Sequence, residues 1–478
     1  CAYYYPGWDS DAKWDCIRHV APIRKPLLGY YDESNPEVVD WQIKWAVENG
    51  IRCFLVDWYW VDGNQHLTHW FEAYRRAQWR DRLDVAIMWA NHNPPGTHSR
   101  EDWRAVTREW LERYFTLDSY YRVNGRPAVF IWAPQNIRND LGGTQAVRAA
   151  LAESQEMARD AGFEGIEFIA LHDHDSESQA KRLLEEGYAG ATNYHEWGDA
   201  PALGETPRRM RFADVAETAP EHWQKRDAAC GPLTYYPVVD TGWDARPWHG
   251  EDARVLAGRT PALFENLLRA ARRFTAQNEK PLVVLGPLNE WGEGSYIAPC
   301  TEFGFDMYEA VRRVFARGNE TDWPRNITPA DVGLGPYGFP RRPATDTWRF
   351  HGDTDGWAPR MGVADFGVRG SLLHFRTSTN DPAVHVSVRD VNAKDYGKAQ
   401  IRLRLAGELP EDARAQLFWS VGGSALHAAA SLRFPLARDG AFHTYTLDLT
   451  ANPRWRGRIT RLRFDPCSTR GIKVFIDK

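Results

Sequence analysis

Residues 288–299, LNEWGEGSYIAP, place two carboxylates three positions apart, Glu290 and Glu293, with Trp291 between them and glycines at 292 and 294. Glycines after an apolar run allow an irregular backbone that can turn both acids into one cavity. Two carboxylates in a partly dry site repel each other, so one holds its proton and the pair can divide acid and base roles. Cleavage of a glycosidic bond uses such a pair, one group protonating the leaving oxygen while the other assists attack. An isolated ExxE more often caps a segment or faces solvent. Its position at the end of an apolar run, flanked by Asn289 and glycine, reverses that preference.

Further polar groups stand at the ends of other apolar runs: Asp57, Asn91, His92, His172, Asp173, His195, Glu196, Asp240 and Asp244. Aromatics interleave with them, namely Tyr4, Tyr5, Trp8, Trp58, Tyr59, Trp60, Trp89, Trp132, Tyr194, Trp197, Trp243 and Trp291. Sugar rings have apolar C–H faces, and flat aromatic platforms hold them while polar groups read the hydroxyls. For one Trp alone, core packing is an equal explanation. The histidines of ANHN, LHDHD and NYHEW could ligate a metal with Asp173 or Glu196, but they lie on different runs without HExxH spacing, and no metal is expected. GxSxG and P-loop patterns are absent, so the chemistry asks for no nucleotide or other cofactor.

The elements that must position these residues follow from periodicity. Apolar runs at 2–8, 53–60, 85–91, 128–133, 168–172, 191–195, 233–239 and 282–288 alternate with helical stretches at 38–49, 69–79, 104–115, 145–161, 178–186, 212–228, 261–277 and 305–315. Eight strand–helix units predict a parallel (β/α)8 TIM barrel, whose active-site face lies at the strands' C-terminal ends. Gly50, Gly162 and Gly187 mark helix C-termini within the alternation. From about Trp348 the pattern becomes short strands with turn signals, an antiparallel β-sandwich of jelly-roll type. The expected domains are a catalytic barrel at 1–317, a Gly/Pro-rich linker at 318–345, and a sandwich at 346–478 resembling a carbohydrate-binding module, with Trp348, Trp357 and Trp419 as its aromatics.

The 478 residues carry 59 Lys+Arg against 64 Asp+Glu, a net charge of −5 that argues against a nucleic-acid partner. No run of about 18 apolar residues is present, so no membrane-spanning helix is expected. The 22 Trp are the unusual feature of composition. Six scattered cysteines, without CxxC, indicate neither a disulfide scaffold nor a zinc site. Because the sequence starts within a strand-like run, the expectation is an exported protein whose leader has been removed: secreted, periplasmic or at the cell surface, and monomeric.

YYPGW, FLVDWYW, ANHN, NGRPAVFIW and above all NEWGEGSYIAP resemble the WbsX-like group, which is similar to family 99 of glycoside hydrolases, the endo-α-mannosidases and endo-α-mannanases. The resemblance covers most of residues 2–316. It implies hydrolysis of a poly- or oligosaccharide with retention, through a 1,2-anhydro sugar. Matched onto NEWGEG, Glu290 would be the base on the sugar's 2-hydroxyl, and Glu293 the acid for the leaving group and then the base for water. By position, Asn289, Trp291, Tyr4 and Tyr5 would line the reacting subsite. Gly292 stands where family 99 carries a bulkier residue, so mannose specificity does not transfer. The alternatives are a glycosyltransferase of polysaccharide biosynthesis, as the group's label has it, or a non-catalytic glycan-binding barrel.

Overall fold

The computed structural model describes residues 1–61, 63–197, 209–250, 253–339, 346–422 and 426–478. It divides into two compact units: Cys1–Ile17, Pro22–Arg246 and Asp252–Phe339 form the first, and Arg18–Ala21, Pro247–Glu251 and Pro340–Lys478 the second.

The first unit is a TIM barrel. Its strands are β1 (Ala2–Tyr4), β2 (Cys53–Val61), β3 (Asp84–Trp89), β4 (Arg126–Ile131), β5 (Glu167–Ala170), β6 (Gly190–Ala191), β7 in two segments (Thr234–Tyr235 and Val238–Val239) and β8 (Val284–Leu285). Each pairs in parallel with its neighbours, and β1 pairs with both β2 and β8. The first segment of β7 pairs with β6 and the second with β8, so the ring closes through a strand interrupted at Tyr236-Pro237. The imino ring removes a ladder donor there, and beyond β8 a hairpin joins β9 (Asn289–Glu290) to β10 (Ser295–Tyr296). The outer helices are α1 (Pro36–Glu48), α2 (His69–Arg76), α3 (Arg100–Glu109), α4 (Thr144–Asp160), α5 (Glu177–Glu186), α6 (Phe212–Cys230), α7 (Pro261–Gln277) and α8 (Asp306–Phe315). Asn35, Ser99, Ser176 and Thr260 cap four of them through side-chain oxygens. Of the segment expected to be a linker, residues up to 339 belong to the barrel unit. Trp45 Nε1 donates to Ile327 O at 2.8 Å, and Tyr337 and Phe339 donate backbone N–H groups to Leu28 and Tyr30. Residues 340–345 lie outside the described residues.

Period-2 geometry sorts the strand side chains between the barrel's interior and its helical jacket. On β2, Trp58 and Trp60 stack on each other at 5.6 Å, and Trp58 meets Trp89, Trp110 and Tyr114. Trp103 extends this cluster. Trp8, Trp14, Trp58, Trp70, Trp89, Trp103, Trp110, Trp223 and Trp291 are all fully buried. Most of the tryptophan excess is therefore core, and the expectation that Trp58, Trp60 and Trp89 face a ligand is corrected: their rings fill space between packed elements.

The second unit is a sandwich of two five-stranded antiparallel sheets. Its strands are β11 (Ala358–Met361), β12 (Val363–Arg369), β13 (Leu372–Thr377), β14 (Ala383–Asn392), β15 (Lys398–Ala406), β16 (Arg414–Val421), β17 (Ser431–Pro435), β18 (His443–Asp448), β19 (Arg458–Asp465) and β20 (Lys473–Ile476). One sheet has the order β11-β14-β19-β16-β17, the other β12-β13-β20-β15-β18. Val384, Leu403, Leu417, Phe464 and Val474 are among the residues filling the space between them. Trp419 is fully buried in this interior, while Trp348 and Trp357 meet edge-on at 5.7 Å and pack against the core. None of the three forms an open platform.

Truncating Trp110 to Ala removes the ring on which Trp58, Trp89 and Trp103 converge. It should cost about 3–5 kcal/mol, read as a lowered denaturant midpoint of the barrel with ligand affinity unchanged.

Candidate functional site

Beyond β8 the chain makes a hairpin of Asn289–Glu290 with Ser295–Tyr296, in which Asn289 faces Tyr296 and Glu290 faces Ser295. The backbone N–H of Glu293 donates to Glu290 O at 3.2 Å. A turn of this kind holds its first and fourth Cα atoms within about 7 Å, so the two glutamates come together by local geometry. Gly294 has φ +74°, and a Cβ there would lie 2.5 Å from the backbone N of Asp244. Only glycine suits this corner.

Glu290 is buried beneath this turn. The hydroxyl of Tyr194 stands 3.1 Å from Asp57 Oδ2 and 3.4 Å from Glu290 Oε1. Asp57 Oδ1 and Glu290 Oε2 are buried without a hydrogen-bond partner. Burial raises the Glu290 carboxyl well above the usual range, and the nearby charges of Glu293 and then Asp57 push it further. Asp57 is raised in the same way, by burial first, with Glu293 adding to it against the hydrogen bond from Tyr194. One phenol proton cannot serve two carboxylates, so Tyr194 favours an arrangement with a proton on one of the two acids. Tyr5 and Tyr59 complete the inner wall. Burial raises both phenols, and the charges of Asp57, Glu290 and Glu293 all reach them.

An outer set of residues holds the hairpin. Glu33, fully buried, accepts from Tyr4 Oη at 2.7 Å, from the backbone N of Trp8 at 2.7 Å and from Asn289 Nδ2 at 3.1 Å. Asn289 exchanges two hydrogen bonds with the Tyr5 backbone, at 2.9 and 2.8 Å, and its carbonyl accepts from Trp8 Nε1. Arg24 donates to Trp291 O at 2.9 Å and pairs with Asp244 at 2.7 Å, while Trp291 Nε1 donates to Tyr31 Oη. A Cβ on Gly7 would fall 2.0 Å from the Tyr5 ring, so the YYPGW glycine makes room for that ring.

The sequence candidates therefore separate. Asp57, Tyr59, Tyr194, Tyr5, Glu290 and Glu293 form one electrostatic cluster. Trp132 adjoins it, its ring 4.8 Å from Tyr194 and 5.1 Å from His172, with His92 6.1 Å away. On the other flank His195 Nδ1 pairs with Asp240 Oδ2 at 2.9 Å, and its ring meets Trp197 and Trp243. Glu196 turns to a separate network, with His222 Nε2 at 2.7 Å and Asn193 and Tyr235 beside it. Tyr4, Trp8, Asn289 and Trp291 are drawn into support, because their polar atoms are engaged within the protein. Tyr4 lies against Phe54 and Trp70, and it is Tyr3 that reaches inward to Tyr194 and Asn193 O. Asn91 is also occupied: both ends of its amide bond the Ala133 backbone, at 2.7 and 3.0 Å, fastening the ends of β3 and β4. Among the described residues, no group of three or more His, Cys, Asp or Glu is placed to hold a metal ion.

Glu33, Arg24 and Tyr31 were not singled out by sequence. Glu33 sits in YYDESNP, just before the Asn35 cap of α1, where an acid reads as an ordinary helix-start charge. Nothing in its local pattern announces burial.

The family described as Glycosyltransferase WbsX matches residues 11–311. The uncharacterized protein WxcX of Xanthomonas campestris pv. campestris is 24% identical over 324 residues, covering 63% of this chain and 44% of that protein. The match thus spans less than half of the relative's length. Among solved structures, a glycoside hydrolase-like protein aligns with TM-score 0.51 at 16% identity, over 66% of this chain and 94% of that one. The GH99 endo-alpha-mannosidase from Bacteroides thetaiotaomicron aligns with TM-score 0.43 at 20% identity, over 62% and 82%. No helix among the described residues is long and apolar enough to cross a membrane.

Because burial raises Asp57 and Glu290, both penalise the fold at neutral pH. Below the usual carboxylate range, folded and unfolded chains are equally protonated and the penalty vanishes. Above it the unfolded chain releases protons that the folded chain retains, so stability falls with rising pH up to the folded values. Asp57→Asn and Glu290→Gln should each raise Tm by a few degrees at about pH 7, with the gain disappearing near pH 4. Tm measured against pH for the three proteins checks this.

Proposed function

The chain belongs to the WbsX family, and we propose that it is a glycoside hydrolase acting on a poly- or oligosaccharide through Glu290 and Glu293. The observation that carries this reading is the buried Glu290 carboxyl, one oxygen unpartnered, set one turn from Glu293 at the C-terminal mouth of a parallel barrel. That mouth is where barrel enzymes assemble their chemistry.

In the proposed reaction Glu290 takes the proton from the sugar's 2-hydroxyl as O2 closes onto C1. Glu293 gives its proton to the glycosidic oxygen as the C1–O bond breaks. Water then attacks C1 and Glu293 takes its proton, while the C1–O2 bond opens and O2 recovers its proton from Glu290. The anomeric configuration is retained because C1 is inverted twice. Burial first, and then the like charges of Glu293 and Asp57, make Glu290 a stronger base than an isolated carboxylate. Tyr5, Tyr59 and Tyr194 would hold the reacting sugar, with Trp132, His172 and His92 on one side and His195, Trp197 and Trp243 on the other. Asp240 would fix the His195 ring.

The proposed division of labour gives catalysis to residues 1–317, with 318–339 packed as part of the same unit, and glycan holding to 346–478. A second reading is favoured by the family's own description: transfer of a sugar from a nucleotide donor. Incubation with nucleotide sugars separates the two, since a transferase consumes the donor and yields no new reducing end from glycan alone.

Glu290→Gln and Glu293→Gln should each lower turnover by about a thousandfold or more on whichever member of a glycan panel the wild type cleaves, with Tm no lower than that of the wild type. Turnover within a few fold of wild type in either variant overturns the assignment.

A further inference from the structure

The sandwich carries its charge differently from the rest of the chain. Residues 346–478 contain 20 Lys+Arg against 14 Asp+Glu, a surplus of six positive charges in a chain whose total is −5. Much of that surplus lies on the outer face of the sheet β11-β14-β19-β16-β17. Strand pairing sets His385, Arg463, Phe418 and Ser431 in one row across four strands, and Asp465, Gln416 and Arg433 in the next. Arg461, two residues before Arg463 on β19, faces the same side opposite Ser387 and Ser420. Cations two residues apart on a strand stand about 7 Å apart, and those two strands apart about 10 Å.

These groups are held, not loose. Arg463 lies over the Phe418 ring at 4.9 Å and is gripped by both Asp465 oxygens, at 2.7 and 2.8 Å. Gln416 Oε1 accepts from Arg433 Nε at 2.9 Å, which aligns a guanidinium whose remaining N–H groups face outward. Arg414, at the start of β16, is exposed. Together they border a cleft of about 420 Å³ that also includes Asp381, Asp412 and Thr469. On the same face, His385 Nδ1 is buried without a partner.

We infer that this face binds a polysaccharide bearing carboxylate groups, a uronate-type polymer, through the exposed Arg414, Arg433 and Arg461, while Arg463, held by Asp465 and Asp381, stiffens the row between them. Guanidinium forks match carboxylates in two parallel hydrogen bonds. Asp381, Asp412 and Asp465 stand among these arginines, the first and last bonded to Arg463. A row of acids among the arginines repels a uniform polyanion but accommodates a polymer alternating hydroxyls with charges. The site lies wholly on the sandwich, so it can fail while the barrel's hydrolytic reading survives, and the reverse.

The test is affinity electrophoresis of the full chain in native gels containing polygalacturonate or neutral dextran. Polygalacturonate should retard the protein and dextran should not. The exposed pair Arg414→Gln with Arg433→Gln should weaken retardation at least tenfold. Arg369→Gln with Lys473→Gln, an equal charge change on the opposite sheet, should leave it within twofold, and unchanged Tm confirms folding in both. No retardation by polygalacturonate, equal loss in both double variants, or tighter retardation by dextran sulfate or single-stranded DNA than by polygalacturonate would overturn the inference.

Discussion

The barrel's mouth is organised around one unfavourable arrangement: carboxyl groups held close together and away from water. Asp57 and Glu290 share the hydroxyl of Tyr194, and Glu293 adds its charge from the far side of a four-residue turn. Left to itself such a group would neutralise or swing into solvent. The surrounding framework prevents the second outcome. Glu33 and Asn289 tie the segment after β1 to the hairpin, Arg24 grips the turn's carbonyl, and Gly294 permits its approach to Asp244.

That framework explains why so many polar residues near the mouth are unavailable to a ligand. Asn289, Asn91, Trp8 and Trp291 use their hydrogen-bonding groups on the protein itself. They supply stiffness, which a site dependent on small distances requires. The side chains left at the mouth are aromatic or imidazole groups flanking the acids, a surface suited to the apolar faces and hydroxyls of a sugar.

How much of this could be read in advance differs by level. The eight-fold alternation of apolar runs and helical stretches shows the barrel, because each unit has its own period and four of the helices begin at a capping side chain. The motif NEWGEG shows the two acids because turn chemistry brings them together over three residues. The side of a strand is harder to read. In Asp57-Trp58-Tyr59-Trp60 and Tyr3-Tyr4-Tyr5 every position is buried or, at Tyr59 and Tyr5, half-buried, so hydrophobicity cannot tell the interior of the barrel from its jacket. Only pairing and packing show that Asp57, Tyr59, Tyr3 and Tyr5 face inward while Trp58, Trp60 and Tyr4 face the helices. Glu33 is illegible for another reason: its partners, Tyr4, Trp8 and Asn289, reach it only across long stretches of chain.

The central claim is that crowding and burial keep a proton in this cluster well above ordinary carboxylate pH. A titration of Glu290 followed by carbon-13 NMR of labelled glutamate, with Glu290→Gln to assign its resonance, addresses it directly. The predicted result is a midpoint well above the usual range that falls when Glu293 is replaced by Gln, as one repelling charge is removed. A midpoint in the usual range, indifferent to Glu293→Gln, would contradict the account.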